Sequence, residues 1–343
     1  MKKKIIIPSL VALLACSCTL NPLSTSSLEE SSNSSSIEES TSSVHSSSNE
    51  KESSSISSNE SSSLEESSSS EQPSTSEPSL LDDFTLSWSD EFEGTALNTA
   101  YWEPQIGDGT NYNVYRWGNN EQQYYKSENA VVKDGNLHIV AKKERTTIHA
   151  DENDVNYEYT SARLRTTGRV TTTYGYIEAR IQLPAGTGLW PAFWMLPEDS
   201  FEGKWWPTNG EIDIMEAKGR LVNRFGATIH TGNSNGQDYY RNKDYTFTSG
   251  QDDITNFHRY GVEWSTAGFA FYIDEFKFFE VTPAQYQGTN SLYSSSETAP
   301  FDRPFHLLLN LAVGGNYDNN RVPDDSFTEA EMLVDYVRIY KRK

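Results

Sequence analysis

Cysteine is nearly absent from this chain of 343 residues: there are two, Cys16 and Cys18. Everything beyond them lacks a disulfide or a thiolate metal site, so its stability must come from a core large enough to do without covalent staples. Histidine is also sparse, six residues scattered along the chain, which gives no indication of a histidine-based metal site. No Ser-His-Asp spacing, phosphate-cradling glycine loop or zinc-binding helix motif occurs. Positive charge is short too. Lys and Arg number 28 against 49 Asp and Glu, a formal net charge of −21.

The one apolar opening stretch, "MKKKIIIPSLVALLAC", follows three lysines and is too short for a mature spanning helix. It reads as a secretory signal. "LLAC" ending at Cys16 resembles the processing site of bacterial lipoproteins, with Cys18 a second candidate and ordinary cleavage without lipid the plainer alternative. Residues 1–23 are therefore expected to be leader and anchor, leaving the protein secreted or at the cell surface of a bacterium. Residues 24–80 are Ser, Glu, Asn, Thr and Pro with isolated Leu or Ile, and contain eleven Glu and one Lys. Without a periodic apolar face such a segment cannot offset its ordering entropy, and is expected to be an extended tether. Setting aside the +3 of the leader and the −10 of the tether leaves −14 on residues 81–343. A domain so acidic offers no footprint for nucleic acid or other anionic polymers, and its partner should be neutral or cationic.

Residues 81–343 show no internal repeat and no second linker, which favours one domain. Their apolar pattern has period two. "GNLHIVAKK" alternates after an Asp134-Gly135 turn, and "YGYIEARIQLP" sets Ile177, Ala179, Ile181 and Leu183 against Tyr176, Glu178, Arg180 and Gln182. "GFAFYIDEFKFFEV", "FHLLLNLAVGG" and "EMLVDYVRIYKRK" read the same way. Capped helical patterns are scarce. The expected class is all-β: a jelly-roll sandwich of two curved antiparallel sheets, one presenting a concave cleft.

Chemistry is concentrated in "GEIDIMEA" at 210–217 and the aromatics before it. Trp190, Phe193, Trp194, Trp205 and Trp206 lie immediately upstream. Rings of this kind suit the C–H faces of sugars, although each could instead fill core. Trp190 and Trp194 share a face if "LWPAFW" is extended despite Pro191. Paired carboxylates are the machinery of glycoside hydrolysis, one protonating the leaving oxygen while the other attacks or activates water. On a regular strand Glu211 and Asp213 share a face, whereas Glu216 at i+5 points away. A one-residue bulge near Ile214-Met215 would bring it round. Two glutamates an effective i and i+4 apart have Cα atoms about 13 Å apart, and inclined side chains could close to the roughly 5–5.5 Å of a retaining pair. A solvated acidic loop or a calcium site are the alternatives, the latter opposed by the apolar "IDIM" between the acids.

With these residues in view, the sequence resembles glycoside hydrolase family 16 in its laminarinase branch. The likeness runs over 84–343 through "WSDEFEG", "NNEQQYY", "DGNLHIVAKK", "SARLRT", "YGYIEARIQLP", "GLWPAFWMLP", "GEIDIMEAKG", "PFHLLLNLAVGG" and "VDYVRIY". It implies an endo-acting, retaining β-1,3-glucanase with Glu211 as nucleophile, Glu216 as acid/base and Asp213 hydrogen-bonded to the nucleophile. It further implies that Trp190 and Trp194 stack on sugars and that Asn120 and Arg165 bind hydroxyls. His230 lies where the family has a histidine near the acid/base, although taken alone it could be a packed residue. No cofactor is implied for catalysis. A structural calcium would involve Glu93, the Gly135 carbonyl and Asp335, where a salt link or turn would serve as well. The expected partner is a β-glucan polysaccharide, met by a monomer that touches a membrane only through its lipid. Mixed-linkage glucan, a galactan, or non-catalytic glucan binding are the competing readings.

Overall fold

The computed structural model describes residues 79–150, 153–198, 206–233, 235, 237–248, 250, 252–286 and 296–343. Cys16, the leader, nearly all of the expected tether and Trp205 lie outside the described residues. The described residues begin slightly before the expected boundary, and Ser79 caps the 3₁₀ turn Leu80–Asp83 through a reciprocal capping box.

The described residues form two large sheets and a separate hairpin. The back sheet runs Phe276–Val281, Gly268–Ile273, His258–Ser265, Gly175–Gln182, Glu329–Arg342, Asn136–Lys142, Tyr159–Ser161, Gln123–Tyr125, with Phe84–Asp90 and Ala130–Lys133 added at its side. The cleft sheet runs Asp238–Thr246, Arg224–Gly232, Glu211–Glu216, Leu189–Pro197, Phe305–Val313, Arg163–Arg165, Glu103–Pro104. Asp134 and Gly135 join Ala130–Lys133 to Asn136–Lys142 with φ of 52° and 73°. Two consecutive left-handed residues make the tight turn whose twist matches the flanking strands.

The core lies between the sheets. Ile177, Ala179 and Ile181 of the back sheet meet Phe193, Met195, Ile212, Leu307 and Leu309 of the cleft sheet in one cluster. The other side of the back sheet is not simply solvated. Tyr176 and Glu178, on the polar face of the alternation, are 0% and 2% exposed. Tyr176 packs there with Phe84, Tyr272 and Tyr340 in a second cluster. The other side of the cleft sheet is left open and carries the site.

Candidate active site

The strand Glu211–Glu216 contains the bulge its sequence suggested. Against Leu189–Pro197, Asp213 faces Trp194 and Met215 faces Phe193, so Ile214 is surplus. Against Arg224–Gly232, Asp213 faces Thr228 and Glu216 faces Gly226, which skips the same residue. Ile214 and Met215 both turn into the core, at 1% and 0% exposure. Two successive inward residues reset the alternation, and Glu216 joins Glu211 and Asp213 on the cleft face. Pairing resumes at once, Ala217 N–H donating to the Pro191 carbonyl at 3.1 Å. Pro191 therefore sits within an extended strand. Trp190, Ala192, Trp194 and Leu196 line the cleft, while Leu189, Phe193 and Met195 fill the core.

The cleft encloses about 370 Å³ and has His306, Leu308, Asn310, Arg163 and Arg165 on its far side. Trp190 Nε1 donates to Glu216 Oε1 at 2.9 Å. Its ring is backed by Tyr317, stacked at 4.9 Å and 24°, with Lys218 Nζ 4.4 Å over the tyrosine. Burial, then the charge of Asp213, pushes Glu216 up to about 8, against the pull of His230 and the Trp190 N–H. The same burial and the same Asp213 push Glu211 well upward, opposed by His230. Near neutral pH the cluster retains a proton, as a site with one acid and one nucleophile requires.

His230 stands beside this pair rather than in the cleft lining. Its Nε2 lies 3.3 Å from Asp213 Oδ2 and its Nδ1 3.0 Å from both carboxylate oxygens of Asp238. Although burial works against the charged ring, Asp213 and Asp238 raise its pKa to about 12. It is thus an imidazolium between two carboxylates. The side-chain donors of Glu211, Asp213 and His230 all lie within 4.8 Å of one another, the one such group of three His, Cys, Asp or Glu among the described residues.

The remaining expected residues divide. Arg165 lines the cleft, donating from Nη2 to Glu103 Oε1 at 2.7 Å with its guanidinium over Tyr112. Trp194 lines it too, its Nε1 donating to Asn310 Oδ1 at 2.7 Å. Asn120 is exposed, adopts φ 58° and donates to Asn320 Oδ1, while its neighbour Asn119 lines the cleft. Left-handed backbone at Arg116, Trp117 and Asn120 breaks the alternation that would predict side-chain direction here. Glu93 is exposed in the loop after Phe84–Asp90, and Gly135 is in its tight turn. Asp335 presents Oδ2 to Arg180 Nη1 at 2.7 Å. Glu93 and Gly135 are thus free to meet a cation, but Asp335 would share its carboxylate with a guanidinium.

Several cleft residues were not anticipated. Arg163, 8% exposed, has its guanidinium carbon 4.5 Å from the Trp117 ring and 4.7 Å from the Trp194 ring. Its Nε donates to Gln105 Oε1 at 2.6 Å. Beside it the buried Glu121 accepts from Gln123 Nε2 and Tyr125 OH at 2.6 and 3.0 Å. The arrangement fixes both faces of the guanidinium and one wall of the cleft. "SARLRT" held the signal, because Arg163 shares a strand face with Arg165. Asn310 was likewise visible as a lone amide in the apolar run "FHLLLNLAVGG".

Known proteins resemble this chain over the same residues. The family model described as Beta-porphyranase A-D, GH16 domain, matches residues 84–342. The chain is 40% identical over 262 residues to glucan endo-1,3-beta-glucosidase A1 of Niallia circulans, covering 75% of this chain and 38% of that protein. It is 36% identical over 269 residues to the beta-glucanase of Rhodothermus marinus, covering 75% of this chain and 85% of that one. In structure it superposes on the endo-beta-1,3-glucanase of Pyrococcus furiosus with a TM-score of 0.67 at 39% identity, over 76% of this chain and 95% of that one.

Proposed function

The chain belongs to glycoside hydrolase family 16, and from that membership we propose that residues 81–343 are an endo-acting, retaining β-1,3-glucanase. The observation that carries the mechanism is the bulge at Ile214, which sets Glu216 beside Glu211 in a cleft where burial keeps a proton on the pair. Glu216, steadied by the Trp190 N–H, protonates the glycosidic oxygen as the bond to C1 breaks. Glu211 attacks C1 and forms the glycosyl ester. Esterification removes a negative charge next to Glu216, so its carboxylate can take a proton from water, which then releases the sugar. Asp213 and its imidazolium partner His230 hold the fixed charges of the site.

The substrate read from the cleft is a neutral glucan. Trp190, Trp194 and Trp206 offer rings to sugar faces, and Arg165, Asn119 and Gln105 offer polar groups to hydroxyls. The −14 charge of residues 81–343 disfavours a sulfated polymer. Because the matched family model is described by porphyranases, a galactan is the second reading, with mixed-linkage glucan the nearer variation. The test is release of reducing sugar from laminarin, mixed-linkage glucan, agar and porphyran. Internal cleavage of laminarin is expected, and degradation of a galactan with laminarin intact would overturn the assignment.

The same proposal places the domain outside the cell as a monomer on a lipid at Cys16, supported by the lysines and apolar stretch before it. Cys16→Ser should release the protein from the membrane fraction. A calcium held by Glu93, the Gly135 carbonyl and the free oxygen of Asp335 would brace the back of the fold. Chelation should then lower the melting temperature and leave the initial rate unchanged.

A further inference from the structure

Three donors converge beside the cleft at a spacing that a metal ion could also use. His230 Nε2 lies 3.3 Å from Asp213 Oδ2, and a Glu211 oxygen completes a set within 4.8 Å. Two donors on one tetrahedral zinc, with bonds of about 2.0–2.1 Å, stand roughly 3.4 Å apart. Asp213 is 2% exposed, and its Oδ2 has the His230 ring as its neighbour. The outer nitrogen of the ring is committed as well: His230 Nδ1 meets both oxygens of Asp238 at 3.0 Å. A carboxylate behind a histidine is the support that metal-ligating imidazoles ordinarily have, fixing the ring and strengthening the nitrogen that binds.

We propose that Glu211, Asp213 and His230 form an inhibitory site for a divalent transition cation, zinc above all, with Asp238 as positioning residue. One nitrogen and two carboxylate oxygens suit zinc, and solvent water from the open cleft supplies the fourth position. Calcium and magnesium demand more oxygen donors than the site offers. On binding, the Nε2–Zn bond replaces the Nε2–H bond and that proton leaves to solvent, while Glu211 ligates as the carboxylate and the proton held by the glutamate pair stays on Glu216. Three carboxylates around one imidazole favour the doubly charged ion over the single proton. With zinc in place the Glu211 carboxylate is no longer free to attack a sugar, so inhibition is competitive with substrate.

The test is calorimetric titration of the full chain with zinc chloride in the absence of sugar, with cobalt absorption as a second readout. One zinc per chain is expected, together with the visible bands of a four- or five-coordinate cobalt. Asp238→Asn should weaken binding about 10–100-fold. His230→Gln and Glu211→Gln should each abolish the cobalt bands, with the melting temperature of each variant showing that it is folded. Zinc binding of undiminished affinity in His230→Gln, or none in the parent chain, overturns the proposal. Neither readout involves a glycosidic bond, so the proposal stands or falls separately from the substrate assignment.

Discussion

Each of the two large sheets contains a bulged strand rich in acids, and the two differ in what answers the acid. In the back sheet Arg180 faces Tyr336 and Ile181 faces Val334, so Asp335 is the extra residue, and it meets Arg180 at 2.7 Å. Around it other acids of the outer face have partners. Glu178 accepts from the hydroxyls of Tyr336 and Tyr340, both at 3.3 Å, and Glu91 receives Arg338 at 2.8 Å. In the cleft sheet the extra residue is Ile214, and its effect is to gather Glu211, Asp213 and Glu216 around a single imidazolium. Aromatics, arginines and burial are common to both faces. What locates chemistry is the shortage of counter-charge, because a buried carboxylate without enough of it holds its proton.

Removing the unanswered acids should break the comparison most severely. Glu211→Ala is expected to lower the kcat on laminarin by about 10⁴-fold or more, and Glu216→Ala by about 10²–10⁴-fold. Azide should rescue the first with inversion at C1 and the second with retention, read by the configuration of the glycosyl azide. The opposite pairing would exchange their roles. Deleting Met215 comes next. It makes the strand regular and leaves the third glutamate at i+4, still on the cleft face. The lost core side chain should cost about 2–5 kcal/mol in denaturant unfolding, yet activity should stay well above that of Glu216→Ala. Activity as low as that variant's would mean that the bulge does more than aim Glu216.

Trp190→Phe sharpens the electrostatic half of the comparison. Glu216 loses its proton as the pH passes about 8, so kcat/KM should fall above that value. The variant keeps a ring but lacks the N–H that favours the carboxylate, and the fall should move to higher pH, kcat changing more than KM. An unmoved alkaline limb would remove Trp190 from the acid/base assembly. Stability carries the same sign. A raised folded pKa means that stability declines as pH rises from about 4.5 toward 8, and Glu216→Gln should flatten that decline. The smallest effects belong to the paired face. Glu178→Ala should cost about 1–3 kcal/mol by leaving tyrosine hydroxyls unpaired, and Asp335→Asn less than about 1 kcal/mol. Neither should alter kcat, and a substantial loss in either would show that the two faces are not separable.

The strands and the bulge were legible in the sequence because both follow from alternation. Ile177, Ala179 and Ile181 point inward as their spacing dictates, and the odd offset of Glu216 marks its own bulge. The burial of Glu178 was not legible, since its cover comes from residues some 160 positions away. Nor was the place of Asn119 in the cleft wall, beside the left-handed backbone of Arg116, Trp117 and Asn120. Tyr317 behind Trp190 and Trp117 against Arg163 are brought together by loops whose course no local pattern specifies.

The hydrogen bond from Trp190 to Glu216 also has an optical consequence. An indole whose N–H ends on a titrating carboxylate, and whose face lies on a tyrosine, emits according to the state of that carboxylate. The difference in tryptophan fluorescence between the parent chain and Trp190→Phe, followed in a stopped-flow instrument, would therefore report proton loss from Glu216 in real time, turning the acid/base into its own reporter.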